Sequence, residues 1–114
     1  MTMVDEQTQT VAVCAVERLI LGRGVAALLP DGRQVAIFRT QDGKFYAISN
    51  VDPFGRAAVL SRGLIGDANG VPTVASPLLK QRFDLTTGRC LDDESVAIRT
   101  YEVRIVDGVV HVRP

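Results

Sequence analysis

Three features of this 114-residue chain point to an all-β architecture of antiparallel strands. Three Asp-Gly pairs, Asp31-Gly32, Asp42-Gly43 and Asp107-Gly108, each stand between runs of strand-favouring residues. Such a pair suits the two-residue type I′ hairpin, in which both central residues need positive φ. The run Val35-Ala36-Ile37-Phe38 is apolar at every position, as expected of a strand buried on both faces inside a sandwich or barrel. Finally, no long amphipathic helix, repeat or low-complexity tract is visible.

Residues 1–9 are expected to form a disordered tail and 10–114 a single domain, opening with a strand over Thr10 to Cys14. The following "AVERLILGRG" suits a helical turn before Gly22 and Gly24. Residues 24–49 read as a three-stranded meander, because the first two Asp-Gly turns share the strand Gln34 to Thr40. From Asn50 to Val71 the pattern breaks, with Pro53, four glycines and scattered charges, and a loop of that length points to function or contact. A short helical turn is expected within it, near Ala57 to Ser61. Short strands follow at Thr73 to Ala75 and Lys80 to Phe83, then a turn at Thr86-Thr87-Gly88. Counting outward from Asp107-Gly108 sets Ile105 opposite Val110, Val103 opposite Val112, Arg104 opposite His111 and Glu102 opposite Arg113. Apolar pairs then share one face and polar pairs the other, which is a self-consistent register.

Composition narrows the function. An apolar share of 46% can build a core without disulfides or metal. Lysine plus arginine balances aspartate plus glutamate at 13 each, leaving no overall field to attract nucleic acid or an anionic membrane. No stretch approaches the roughly 20 apolar residues of a membrane span, and the N-terminus lacks a basic-then-apolar leader, so the expectation is a soluble, cytoplasmic protein. Cys14 and Cys90 form no Cys-x-x-Cys motif and in that compartment read as buried thiols. Cys90 follows Arg89 but has no histidine nearby in sequence to act as a base. Asp84, ahead of the Thr86-Thr87-Gly88 turn, reads as an acceptor for backbone amides and not as an acid/base partner of Asp52. His111 reads as a solvated strand histidine beside Arg113.

The segment "SPLLKQRFDLTTG", residues 76–88, behind a glycine-rich loop, resembles the Rieske family. The family's second ligand box runs Cys-Pro-x-His-x-x-x-Phe-Asp and then Thr-Gly. Pro77, Phe83, Asp84 and Gly88 match it, while Ser76 stands at the cysteine and Leu79 at the histidine. The first box, Cys-x-His at a strand end, falls on Asn50-Val51-Asp52, where Asn50 and Asp52 replace both ligands. A Rieske cluster takes two cysteines and two histidines, and the chain has one histidine. That count excludes an active Rieske ferredoxin made by one chain, and the resemblance implies an ISP-type β-sandwich or barrel whose cluster tip is degenerate.

Within that family the chain resembles the small subunits of assimilatory NAD(P)H-dependent nitrite reductases. The residues that carry this are "NVDPF" (50–54), "VLSRGLIGD" (59–67), "PTVASPLLKQRFDLTTGRCLDD" (72–93) and the terminal "YEVRIVDGVVHVR". The resemblance implies a partner and not an active site: a large catalytic subunit carrying FAD, siroheme and an iron-sulfur cluster, which reduces nitrite to ammonia. No cofactor, metal or catalytic residue is then expected on this chain. The tip would be either a solvated rim or a docking surface. In the latter, Val51, Pro53, Phe54, Leu78 and Leu79 form an apolar centre and Arg56, Arg62, Lys80 and Arg82 a basic rim. A different reading is a free-standing, non-redox interaction module that recruits another oxidoreductase.

Overall fold

The computed structural model describes residues 10–114. The expected disordered tail, residues 1–9, lies outside them. Twelve strands follow one another: β1 (Val11–Ala15), β2 (Arg23–Leu28), β3 (Gln34–Arg39), β4 (Phe45–Ser49), β5 (Val51–Asp52), β6 (Ala57–Ala58), β7 (Leu64–Ala68), β8 (Val71–Ala75), β9 (Arg82–Asp84), β10 (Thr100–Tyr101), β11 (Val103–Val106) and β12 (Val109–Val112). They pair antiparallel in the orders β10-β4-β3-β2, β1-β12-β11, β7-β8-β9 and β5-β6.

Strand β3 explains the arrangement. Val35, Ala36, Ile37 and Phe38 are all fully buried, and side chains alternate along a strand, so the four divide between two cores. Val35 and Ile37 join Leu19, Leu29, Ala47, Tyr101, Val110 and Val112 under the β1-β12-β11 sheet. Ala36 and Phe38 join Ile48, Leu60, Val74, Phe83, Leu85 and Cys90 toward the β7-β8-β9 sheet. The central sheet is therefore covered on both sides, and each large side chain in these cores contributes roughly 1.5–3 kcal/mol by leaving water.

The C-terminal hairpin has the expected register, Val103 to Val112 and Ile105 to Val110. Asp107 and Gly108 take φ of 50° and 75°, the type I′ turn. Its apolar face is only partly covered, since Val110 and Val112 are buried but Ile105 is exposed. The other two Asp-Gly turns differ from expectation. Only Gly32 and Gly43 have positive φ there, and Leu29 N donates to Arg33 O while Thr40 N donates to Lys44 O, closing three-residue loops. The cause is the aspartate side chain: Asp31 Oδ1 accepts from Arg33 N at 3.0 Å and Asp42 Oδ1 from Lys44 N at 3.4 Å, which suits a type I turn followed by a left-handed glycine.

The segment from Asn50 to Val71 is more ordered than a long loop. It holds β5, β6, a 3-10 turn at Leu60–Arg62 in place of the expected helical turn at Ala57 to Ser61, and the whole of β7. β7 pairs with β8 around Asn69-Gly70, whose φ values of 54° and 88° make a fourth tight hairpin. The strand expected from Lys80 begins at Arg82, because Lys80 has a φ of 68° that no strand residue adopts.

Candidate functional site

Two loops meet at one end of the β7-β8-β9 side, and they share one construction. In the first, Asp52-Pro53-Phe54-Gly55-Arg56, the Asp52 carbonyl accepts from Arg56 N at 2.7 Å and Asp52 Oδ1 accepts from Phe54 N at 2.8 Å. In the second, Ser76-Pro77-Leu78-Leu79-Lys80, the Ser76 carbonyl accepts from Lys80 N at 3.1 Å and Ser76 Oγ accepts from Leu78 N at 3.2 Å. Proline at the second position fixes φ near −65° and helps start the turn. The fifth residue of each, Arg56 or Lys80, is left-handed, with φ of 55° or 68°.

The loops are clamped together by their first residues. Asp52 and Ser76 are both fully buried, and Ser76 Oγ donates to Asp52 Oδ2. The other carboxylate oxygen serves the amides of Phe54 and, at 3.3 Å, Gly55. A buried carboxylate is tolerable when its oxygens are met by donors in this way. Gly55 completes the contact, since a Cβ there would lie 2.5 Å from Leu78 Cδ1. Asn50 braces the base: its Oδ1 accepts from Ser61 N at 2.8 Å, its Nδ2 donates to Gln34 Oε1 at 3.2 Å, and its carbonyl accepts from Leu60 N at 3.0 Å.

These contacts decide whether the tip fits a Rieske cluster. Asn50, Asp52 and Ser76 face inward with their polar atoms engaged by protein donors and acceptors, and Leu79, at the fourth ligand position, is 57% exposed. Among the described residues no three His, Cys, Asp or Glu side chains gather as metal ligands. His111 is half-buried on β12, its Nδ1 3.0 Å from Thr10 Oγ1, so it is more engaged than a solvated strand residue. Cys14 sits on β1, where burial pushes its thiol pKa up against the opposing pull of Arg18, and Cys90 is buried in the same core as Phe38 and Phe83. The residues present at the tip do not fit the cluster.

Of the nine candidate contact residues, Val51, Pro53, Leu78 and Leu79 are exposed apolar groups, and Arg56, Arg62 and Lys80 are exposed cations outside every ion pair found among the described residues. The remaining two are engaged within the chain. Phe54 is half-buried, its ring centroid 6.2 Å from that of Phe83, because the Asp52 cap turns the chain inward there. Arg82 is held by Asp92, with Nη2 3.0 Å from Oδ1 and its backbone N 2.8 Å from Oδ2. Leu64 was not anticipated: it lies opposite Ala75 at the edge of its sheet and is 77% exposed. The adjacent apolar pair Leu64-Ile65 shortly ahead of the turn-forming Asn69-Gly70 was the available signal.

Asp84 begins a third loop of the same type, accepting from Thr86 N at 2.7 Å and Thr87 N at 3.3 Å while its carbonyl accepts from Gly88 N at 2.7 Å. Partial burial works to raise its pKa, but the Thr86 and Thr87 donors outweigh this and the carboxyl lies below its usual range.

Residues 9–113 match the family model of the Rieske-like [2Fe-2S] domain. The nitrite reductase (NADH) small subunit of Salmonella typhimurium is 49% identical over 102 residues, 89% of this chain and 94% of the relative. The chain belongs to the Rieske-like nitrite reductase small subunits. A crystal structure from Mycobacterium tuberculosis, described as an NADH-dependent nitrite reductase small subunit, superposes with a TM-score of 0.87 at 50% identity, covering 91% of this chain and 93% of that one. The Rieske-like match also extends to a larger protein. The nitrite reductase [NAD(P)H] large subunit of Klebsiella oxytoca contains a stretch 44% identical over 101 residues, 89% of this chain and 10% of that subunit. No helix among the described residues is long and apolar enough to cross a membrane.

Proposed function

We propose that this chain is the accessory small subunit of a cytoplasmic NAD(P)H-dependent nitrite reductase and works by docking its tip on the large catalytic subunit. The observation that carries the reading is that the same unit occurs both as a small subunit in Salmonella typhimurium and within a large subunit in Klebsiella oxytoca. A domain found both separately and joined to its catalytic partner is one that works beside that partner. In this reading residues 10–114 act as one unit, and FAD, siroheme and the iron-sulfur cluster belong to the large subunit. No group on this chain takes part in the chemistry of nitrite reduction. Val51, Pro53, Leu78 and Leu79 supply the apolar centre of the contact, Arg56, Arg62 and Lys80 its rim, and Phe54 and Arg82 support them from behind.

The test is recovery of the tagged chain from its own cells grown on nitrate or nitrite. Co-elution of a large flavoprotein with a siroheme spectrum and NAD(P)H-dependent nitrite consumption is the expected result. Recovery of the chain alone and colourless would sink the reading. Leu79→Asp, at an exposed site, should abolish co-elution while leaving the melting temperature within about 2 °C. A large loss of stability with intact assembly would make Leu79 a core residue instead.

A further inference from the structure

The three loops that begin at Asp52, Ser76 and Asp84 share a backbone, yet they end differently. Each has a carbonyl at the first position accepting from the amide four residues on, a first side chain capping the amide two residues on, and a left-handed fifth residue. In the loop away from the tip the fifth residue is Gly88, with φ of 79°, the residue type that adopts this conformation without steric cost. In the two tip loops it is Arg56 and Lys80. Only four non-glycine residues among those described have positive φ, and the other two, Asn69 and Asp107, lie in tight hairpins and are of the types that tolerate it. Arginine and lysine have no such local excuse, and strain retained in a clamped loop points to function.

Their surroundings indicate what that function needs. Arg82, on the strand just beyond the second tip loop, is neutralised by Asp92, whereas no ion pair among the described residues involves Arg56 or Lys80. Other exposed cations, among them Arg62 and Arg89, are also outside the ion pairs found among the described residues, so what sets Arg56 and Lys80 apart is their place at the left-handed ends of the two tip loops. Because the buried Ser76 Oγ bonds to the buried Asp52 Oδ2 and Leu78 lies against Gly55, the separation between the loops is set by direct contacts between them.

We propose that Arg56 and Lys80 are a matched pair of anchors for carboxylates on the large subunit, held apart by the Asp52–Ser76 clamp with Leu78 and Leu79 exposed beside them. The proposal rests on the docking reading above. It adds the chemistry of the partner surface: acidic groups flanking an apolar hollow, bound in a salt-dependent manner.

The test measures binding of the full chain to its purified large subunit at low and high salt. Arg56→Gly with Lys80→Gly should weaken binding by about tenfold or more at low salt and flatten the salt dependence. Its melting temperature should equal or exceed that of the wild type, because glycine removes the left-handed penalty. Arg56→Gln with Lys80→Gln keeps much of the side-chain length without the charge and should lose binding similarly, whereas Arg56→Lys with Lys80→Arg should retain it within about threefold. Wild-type binding by both uncharged pairs, with Leu79→Asp still unable to bind, would overturn the paired anchors and leave the docking reading standing. Wild-type binding by Leu79→Asp as well would overturn both. A lower melting temperature for the glycine pair would remove the strain argument on which the assignment rests.

Discussion

On one side of β3, Val35 and Ile37 meet a wall of aliphatic residues from β1, β12 and the N-terminal segment; on the other, Ala36 and Phe38 meet Leu60, Val74, Phe83 and Leu85 beneath the tip. The first half is built from hairpin ladders of four to six residues per strand apart from β10. The second uses strands of two to five residues joined by capped loops, and it holds four of the five buried polar residues among those described: Asn50, Asp52, Thr73 and Ser76. Apolar area can stabilise either half, but it is non-directional. A surface of defined shape, raised on loops, also needs satisfied polar contacts that accept one geometry and reject its neighbours. The regular half thus supplies the support and the irregular half presents a surface.

The largest test asks whether these halves are one cooperative unit. Phe38→Ala should cost about 3–5 kcal/mol and Ile37→Ala about 2–5 kcal/mol, since both side chains are fully buried on opposite faces of one strand. Urea unfolding followed by both circular dichroism and Tyr fluorescence should give a single transition in each variant. Separate transitions would mean that the two cores fold independently, and the division of labour would then be one between subdomains.

Gly88→Ala probes the third loop, where the added methyl meets the Ile98 carbonyl in addition to the left-handed backbone. A loss of about 2–3 kcal/mol is expected, in the opposite direction from a glycine placed at Arg56 or Lys80. If glycine at Arg56 or Lys80 also lowers stability, the left-handed backbone of the tip loops holds no strain and the likeness to the third loop is one of shape alone. Ser76→Ala, which leaves Asp52 Oδ2 without its donor, should cost about 1–3 kcal/mol. Hydrogen exchange at Phe54, Gly55 and Leu78 should accelerate more than at β3; uniform acceleration would show that the clamp is not local.

The smallest expected effect concerns pH. Asp84 has a folded-state pKa below its unfolded value of about 3.9, so its contribution is present above that value and is lost as pH falls through the folded pKa. Asp84→Asn should therefore flatten the decline in stability below about pH 4 relative to the wild type. An unchanged acid limb would assign that decline to other carboxylates, such as Asp92, which Arg82 also holds low.

Much of the regular half was legible. The alternation around Asp107-Gly108 specified a ladder that the structure reproduces pair for pair, and the doubly apolar run at Val35 to Phe38 is the strand between the two cores. The turn at Asp84 was also readable, because an aspartate two residues before a threonine amide is a local hydrogen bond. The irregular half was less so. Asn69-Gly70 carries the same hairpin signature as Asp107-Gly108, but the surrounding glycines and charges disguised β7 as loop. The parallel between Asp52-Pro53 with Arg56 and Ser76-Pro77 with Lys80 lay in the sequence as a five-residue pattern and acquired meaning once both backbones were visible.

Patterns that repeat every two residues, and turns closed by a neighbour's side chain, involve only nearby atoms, so composition and spacing were sufficient for the all-β class, the meander and the terminal hairpin. The tip belongs to another category. Asp52 and Ser76 are 24 positions apart, and the inward turn of Phe54, the capture of Arg82 by Asp92 and the exposure of Leu79 all depend on which segments pack together. Burial and hydrogen-bond pairing over such separations arise from the folded chain, where desolvation leaves each polar group one set of partners to satisfy.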